Sequence, residues 1–155
     1  MTGVRQPSVV KASSAGLDTE ALQQLVGYNA RRAALHLIEA FMQSMAAYGL
    51  RPVEFSVLSV VVHNPGVTSS QLSQALDLLA PNLVRLVQRL ERRGLLSRQR
   101  DANDRRAIGL FATPEGAALM RRAEAQARAS EARRLAHLSA AEQATLRRLL
   151  KKVYR

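Results

Sequence analysis

The chain has 155 residues, a hydrophobic fraction of 47% and a formal net charge of +11 at pH 7. These values predict one folded domain rather than a disordered chain, and the charge favours a polyanionic partner: nucleic acid, an acidic membrane surface or an acidic protein. The sequence has no cysteine, which excludes disulfides, thiol redox sensing and thiolate metal sites.

The N-terminal third of the chain predicts a flexible arm followed by one long helix. Residues 1–16 are rich in Ser, Gly and Pro, which is typical of a mobile terminus. Residues 17–48 have a helical pattern, with Asp18 as the expected N-cap and Gly49 as the C-cap. Apolar residues occupy more than one face of this helix, so we expect it to pack on several sides and against a second subunit.

Three shorter helices are predicted next. The first begins at Pro52 and ends at the sequence "NPG", residues 64–66. The second opens at Thr68, where a glutamine three residues later completes a capping box. After a tight turn, Pro81 begins the third helix and Gly94 ends it.

A hairpin and two helices complete the predicted chain. The runs "LLSRQR" and "AIGLFA", joined by "DANDRR", predict two short strands and a polar loop. Thr113 and Pro114 start an alanine-rich helix, and a capping box at Ser139 precedes an amphipathic last helix. The order helix, helix, turn, helix, hairpin predicts a mainly α protein with a winged helix-turn-helix.

The helix that begins at Pro81 has two contrasting faces. One is apolar and would hold the helix to its domain, while the other would enter the major groove, where Asn can pair with adenine and Arg with guanine. A surface helix with a solvated basic face would show the same division. Eight arginines and three acidic residues lie from Arg85 to Arg106, however, and this excess favours DNA reading. The apolar stripe is Leu83, Leu86, Val87 and Leu90, and the polar stripe is Asn82, Arg85, Arg89 and Arg92.

Two aspartates, Asp101 and Asp104, lie among arginines in the loop of the predicted hairpin. A hairpin that rides over DNA needs cations at its tip, because the negative potential of the minor groove attracts arginine. Aspartates can accept hydrogen bonds from turn amides and pair with guanidinium groups, so we expect them to shape the tip. The alternative is a solvated charged turn, in which exposed ion pairs add little stability.

Asp101, Asp104 and Arg106 match the D-x-x-D-x-R wing signature of the MarR family of bacterial transcription regulators, which the chain resembles. "LVQRLERRGLLSRQRDANDRRAIGLFATPEG" is similar to the family's recognition helix, wing and start of the next helix. "GLRPVEFSVLSVV" and "LSAAEQATLRRLLKKV" are similar to its second and last helices, and "APNLVRLVQRLE" resembles the branch that includes SlyA. The likeness covers nearly all of the chain after Leu17 and departs at Ala112, where the family usually has leucine.

The resemblance implies a homodimeric regulator, predicted to be a repressor, on pseudo-palindromic double-stranded DNA. Dimerisation helices would occupy residues 17–50 and 114–155, and the winged helix-turn-helix residues 51–113. The wing arginine that reaches the minor groove would be Arg106 or its neighbour Arg105. In the major groove the resemblance places Pro81, Asn82, Arg85 and Arg89, while Arg92 is expected at phosphate.

Many members of this family bind small anionic, often aromatic, effectors. Arg32 and His36 lie one helical turn apart and could meet an effector carboxylate, or they could be polar residues of the dimer interface. The histidines lie far apart in sequence and no catalytic grouping occurs, so we predict no metal site, no cofactor and no enzyme. Residues 33–50 are too polar for a membrane span and no signal peptide is evident, which predicts a cytoplasmic protein. The alternative is a basic architectural or interaction protein that binds DNA or an acidic partner without sequence preference.

Overall fold

The computed structural model describes residues 17–100 and 108–154. The chain divides into two compact units, and the boundary between them falls between Ala34 and Leu35. The first contains the short helix α1 (Glu20–Gln23) and the start of α2 (Val26–Met45). The prediction of one unbroken helix from residue 17 to residue 48 is therefore wrong.

The break between α1 and α2 has a local cause. The side-chain amide of Asn29 donates to the carbonyl oxygens of Gln23 and Leu25, at 2.7 and 2.9 Å. Such side-chain bonds compete with the helical pattern of the backbone. The N-cap of α1 is Thr19 and not the predicted Asp18. The Asp18 side chain, one residue earlier, still accepts the backbone N–H of Glu20 at 2.9 Å.

In the second unit, α2 passes into a 3-10 turn (Ala46–Tyr48) and ends at Gly49. Gly49 has a φ of 58°, in the left-handed region that glycine adopts without strain, which confirms the predicted C-cap. No single helix in the described ranges is long and apolar enough to cross a membrane. Only α2 with its 3-10 turn, taken together with the next helix, reaches that length and composition, across a bend of 67°.

The helix-turn-helix contains α3 (Pro52–His63), α4 (Ser69–Leu76) and α5 (Ala80–Arg92). The predicted capping box at Thr68 is confirmed, since its hydroxyl accepts the N–H of Gln71 while the Gln71 side chain accepts the N–H of Thr68. These bonds satisfy two N–H groups that the first turn of a helix leaves unpaired.

The hairpin strands are β2 (Leu96–Arg100) and β3 (Ile108–Ala112), and they pair antiparallel as predicted. A third strand, β1 (Val67–Thr68), pairs with the other edge of β3, so the sheet order is β1-β3-β2. Residues 101–107, which include the predicted wing tip, lie outside the described residues.

The chain ends with α6 (Pro114–Arg134) and α7 (Ala140–Val153), and both predicted N-caps are confirmed. The Thr113 hydroxyl accepts the N–H of Gly116 at 3.0 Å, and Ser139 forms a capping box with Glu142. One core cluster joins α3, α4, α5, the sheet and α6, which confirms the winged helix-turn-helix. Its largest fully buried side chains are Met45, Leu58, Leu72, Leu83, Leu90, Leu110 and Met120.

Candidate nucleic-acid interface

Helix α5 has the two faces that its sequence predicts. Leu83, Val87 and Leu90 are at most 1% exposed, because they pack into the core of the winged domain. Five side chains outside this stripe are exposed: Pro81, Asn82, Arg85, Gln88 and Arg92. The buried stripe therefore fixes which side of α5 can meet a partner.

Gln88 is an exposed residue of α5 that was not among the predicted DNA contacts. At about 100° of rotation per residue, Arg85, Gln88 and Arg92 fall within a sector of about 60°, opposite the buried stripe. The 3.6-residue helical period alone places Gln88 in this sector, so the sequence contained enough information to predict its exposure. The prediction included Arg89 instead because it followed the basic residues of the polar stripe.

Arg89 differs from the other predicted contact residues because it is held within the protein. Its Nη1 donates to Oε1 of Glu54 at 2.8 Å, and the Glu54 side chain on α3 is only 3% exposed. The other carboxylate oxygen of Glu54 accepts the backbone N–H of Arg51 at 3.0 Å. The Arg89 side chain is still 43% exposed, so this ion pair is only partly shielded from solvent.

Arg93, one turn beyond Arg89, ties α5 to the end of the 3-10 turn. Its two terminal nitrogens donate to the carbonyl oxygens of Gly49 and Tyr48, at 2.7 and 2.9 Å. A cation is favoured there because the last carbonyl groups of a helix carry partial negative charge. Arg89 and Arg93 together fix the α3 flank of α5.

The base of the wing is joined to the same helix. Arg98 of β2 donates from Nε to Oε1 of Glu91 on α5, at 3.0 Å. Both side chains are partly exposed, so this pair adds little stability, but it connects the base of the wing to α5. Asp101, Asp104, Arg105 and Arg106 lie outside the described residues, and their roles stay predictions.

A separate cavity of about 350 Å³ lies between α2, α3 and α6. Phe41 and Phe55 meet edge to face on its wall, with ring centroids 5.1 Å apart. Arg134 also lines it, and the Nε of this arginine is buried without a hydrogen-bond partner among the described residues. An aromatic wall beside an arginine N–H that has no partner fits a flat anionic molecule.

The residues predicted for an effector site do not line this cavity. Arg32 and His36 are both exposed. The α2 side chains that line it begin one residue later, at Leu37. Because the cavity is built from three elements far apart in sequence, helical spacing alone could not have identified it.

Comparison with known proteins decides the family. The model of the MarR family matches residues 48–107. A putative transcriptional regulatory protein for the hcr operon of Thauera aromatica is 33% identical over 131 residues, which are 84% of this chain and 79% of that protein. The chain belongs to the MarR family.

Two solved structures of CouR have the same fold as this MarR-family chain. CouR bound to a 23-mer DNA duplex is 33% identical, with a TM-score of 0.86, and the match covers 91% of this chain and all of that one. CouR from Rhodococcus jostii RHA1 bound to p-coumaroyl-CoA is 29% identical, with a TM-score of 0.78, covering 86% of this chain and 94% of that one. The family predicted from the wing signature is confirmed, and it is one of transcription regulators rather than enzymes.

A polar cluster in this MarR-family chain joins α3 to α6. The Ser59 hydroxyl donates to Oε1 of Glu124 at 2.8 Å, and Nε2 of His63 lies 2.9 Å from the same oxygen. Burial is the largest influence on the pKa of Glu124 and acts to raise it. The hydrogen bonds from His63 and Ser59, with the charges of His63 and Arg128, outweigh burial and lower that pKa below its ordinary value of 4.5.

Glu124→Gln is expected to destabilise the fold by about 1–3 kcal/mol near pH 7, because the ionised carboxylate accepts these hydrogen bonds. The lowered pKa means that this stability is present above pH 4.5 and is lost as the pH falls through the folded-state pKa. Thermal unfolding from pH 7 to pH 3 should therefore show the difference between wild type and variant shrinking in acid. A constant difference would contradict this, and Glu39→Gln, at an exposed position of α2, is the control.

Proposed function

We propose that this chain is a homodimeric, cytoplasmic repressor that binds double-stranded DNA at a pseudo-palindromic operator and is released by an anionic aromatic effector. The observation that carries the proposal is the exposed face of α5, where Arg85 and Arg92 stand outward on a helix whose other side is buried in the core. DNA-bound CouR has this fold over its whole length. Arginine provides both phosphate attraction and bidentate base contact.

Exposed apolar faces support a homodimer. Large apolar side chains on α2 and α7 are between 37 and 74% exposed in the single chain. A second copy of the chain would cover them and remove this apolar surface from water. A two-fold dimer would present two α5 helices to the two halves of a palindrome. The exposed residues are Leu35, Ile38 and Met42 on α2 and Leu146, Leu149, Leu150 and Val153 on α7.

The proposed role of each DNA-contacting residue follows from its position in the chain. Pro81, Asn82 and Arg85 in the first turns of α5 would face base edges, and Arg92 would meet phosphate. An arginine of the wing, Arg105 or Arg106, would enter the minor groove, with Asp101 and Asp104 shaping the loop that carries it.

The cavity between α2, α3 and α6 is the proposed effector site. An aromatic ring would pack on Phe41 and Phe55 while an anionic group takes the unpaired Nε of Arg134. Since the cavity adjoins α3 of the winged domain and two proposed dimerisation helices, a ligand that prefers one arrangement of these elements would shift the spacing of the two DNA-reading helices. That CouR binds p-coumaroyl-CoA supports an aromatic effector class.

The test of DNA recognition is selection from a pool of random duplexes, followed by competition between the selected and scrambled sequences. We expect a palindromic preference, and Arg85→Ala should cost about 1–3 kcal/mol at one position of each half-site. Arg92→Ala should weaken binding to all duplexes alike, and so serves as the matched comparison. Equal losses from both variants, with no selected sequence, would instead favour an architectural or interaction protein without sequence preference.

Arg134→Ala is expected to abolish effector release while leaving operator binding within about twofold of wild type. The reason is that Arg134 lines the cavity and lies on α6, not on α5. Release by salicylate and by p-coumaroyl-CoA would be followed by fluorescence anisotropy of a labelled operator. The control is Arg133→Ala, an exposed neighbour that does not line this cavity. Unchanged release by the Arg134 variant would place the effector elsewhere, for example at Arg32 and His36.

A further inference from the structure

Glu54 is the one buried charged side chain among the described residues. Both of its carboxylate oxygens have a partner: the N–H that begins α3 at Arg51, and the guanidinium group of Arg89 on α5. If Arg89 turned away to reach a base edge, it would leave a buried carboxylate unpaired. That penalty opposes any base contact by Arg89, and it holds Arg89 in place when α5 meets a polyanion.

Gln88 differs from Arg89 in its exposure and in its bonding. It is exposed one turn beyond Arg85, and within residues 17–100 and 108–154 its side chain takes part in no hydrogen bond. Its planar amide has both a donor and an acceptor, which is the pattern that pairs bidentately with N6 and N7 of adenine. Arg85, Gln88 and Arg92 share the outward sector, whereas Arg89 lies on the flank that Glu54 holds.

We infer that Gln88 is a base-reading residue of α5, and that Arg89 is a positioning residue that Glu54 fixes against α3. The exposed part of the Arg89 side chain then meets only the DNA backbone, and its ion pair reinforces the orientation of α5 that the buried stripe fixes. The base partner that suits Gln88 is an adenine in the major groove of each half-site. This inference rests on the proposed function, because it concerns how the operator is read.

The experiment measures the base preference of the full chain at every operator position, by selection from random duplexes and quantitative competition. Gln88→Ala is expected to relax the preference at one position of each half-site, with a loss of discrimination of about 5- to 150-fold. Gln43→Ala, at an exposed glutamine of α2, should leave every position unchanged.

Glu54→Gln and Arg89→Ala are expected to weaken binding to operator and random duplexes by a similar factor, about tenfold, and to keep the preferred sequence. The variant that carries both Glu54→Gln and Arg89→Ala should bind DNA no more weakly than the weaker-binding of the two single variants, because both changes remove the same contact. Arg89→Lys should recover part of the affinity, since lysine keeps a charge that Glu54 can hold. Thermal unfolding of each variant separates these losses from loss of the fold.

Three outcomes would count against the inference. If Arg89→Ala changes the preferred base at one position, Arg89 is a reader and the positioning role is wrong. If Gln88→Ala keeps the wild-type preference at every position, Gln88 is not a reader. Either result leaves the proposed function intact, whereas a wild-type protein with no preferred sequence would overturn both the inference and the proposed function.

Discussion

Leu149→Glu is expected to convert the protein into a monomer and to weaken operator binding by about 100- to 10,000-fold. Leu149 is 48% exposed in the single chain and lies in the apolar stripe of α7 with Leu146, Leu150 and Val153. A carboxylate in the centre of the proposed dimer interface would be buried without a partner, so the dimer would dissociate. Each winged domain would then bind its half-site alone and lose the gain that comes from linking two binding sites.

The control for this variant is Ala144→Glu, which adds the same charge to the opposite, exposed face of α7. Sedimentation at low micromolar concentration should give twice the 17.0 kDa chain mass for wild type and control, and the chain mass for Leu149→Glu. Operator affinity is then measured at one fixed salt concentration, because phosphate contacts make it depend on salt. A Leu149→Glu protein that remained dimeric would show that α7 does not form the interface.

Gly116→Ala is expected to destabilise the fold by about 3 kcal/mol. A methyl group at this position would overlap with the carbonyl oxygen of Leu95, which is backbone and cannot rotate away. The same oxygen accepts the N–H of Thr113 at 3.1 Å, so moving α6 to make room would also stretch the bond that holds its N-terminus to the wing. Chemical denaturation should show a lower midpoint with an unchanged slope.

Two other glycines provide matched controls. Gly27→Ala, in α2, meets no atom within 4 Å and should be neutral or slightly stabilising, because alanine favours helix. Gly94→Ala also has open space but sits at a φ of 67°, so it should cost about 1–2 kcal/mol from backbone strain alone. If Gly116→Ala cost no more than Gly94→Ala, α6 would be free to shift, and the close packing at Leu95 would not matter for stability.

The parts of the fold that could be predicted from sequence depend on neighbouring residues. The caps at Thr68, Thr113 and Ser139 each involve residues three positions apart, so their signal is contained in a few letters. The buried stripe of α5 likewise follows from one helical period. Strand β1 was missed because a pair of residues shows no alternation. The break before α2 was missed because it depends on side-chain bonds of Asn29.

The candidate site was predicted less completely, since its geometry depends on distant residues. The Arg89–Glu54 pair joins positions 35 residues apart, and the bonds of Arg93 span 44 and 45 residues. A basic stripe on a helical wheel cannot show which arginine is already held by the protein. The sequence therefore predicted the helix and the face that could meet DNA, while the contacts within the fold distinguish Arg89 from Arg85.

The sheet order β1-β3-β2 bears on how such a regulator could acquire a new target. Because β3 is paired along both edges, it is anchored to the helix-turn-helix through β1 as well as to β2. Insertions between β2 and β3 would extend the hairpin beyond this anchored base, by about 3.4 Å for every added residue pair, one residue on each strand. Loop insertions cost little free energy, so wing length can change without disturbing α5. The reach of the wing and the base preference of α5 can therefore change independently of each other.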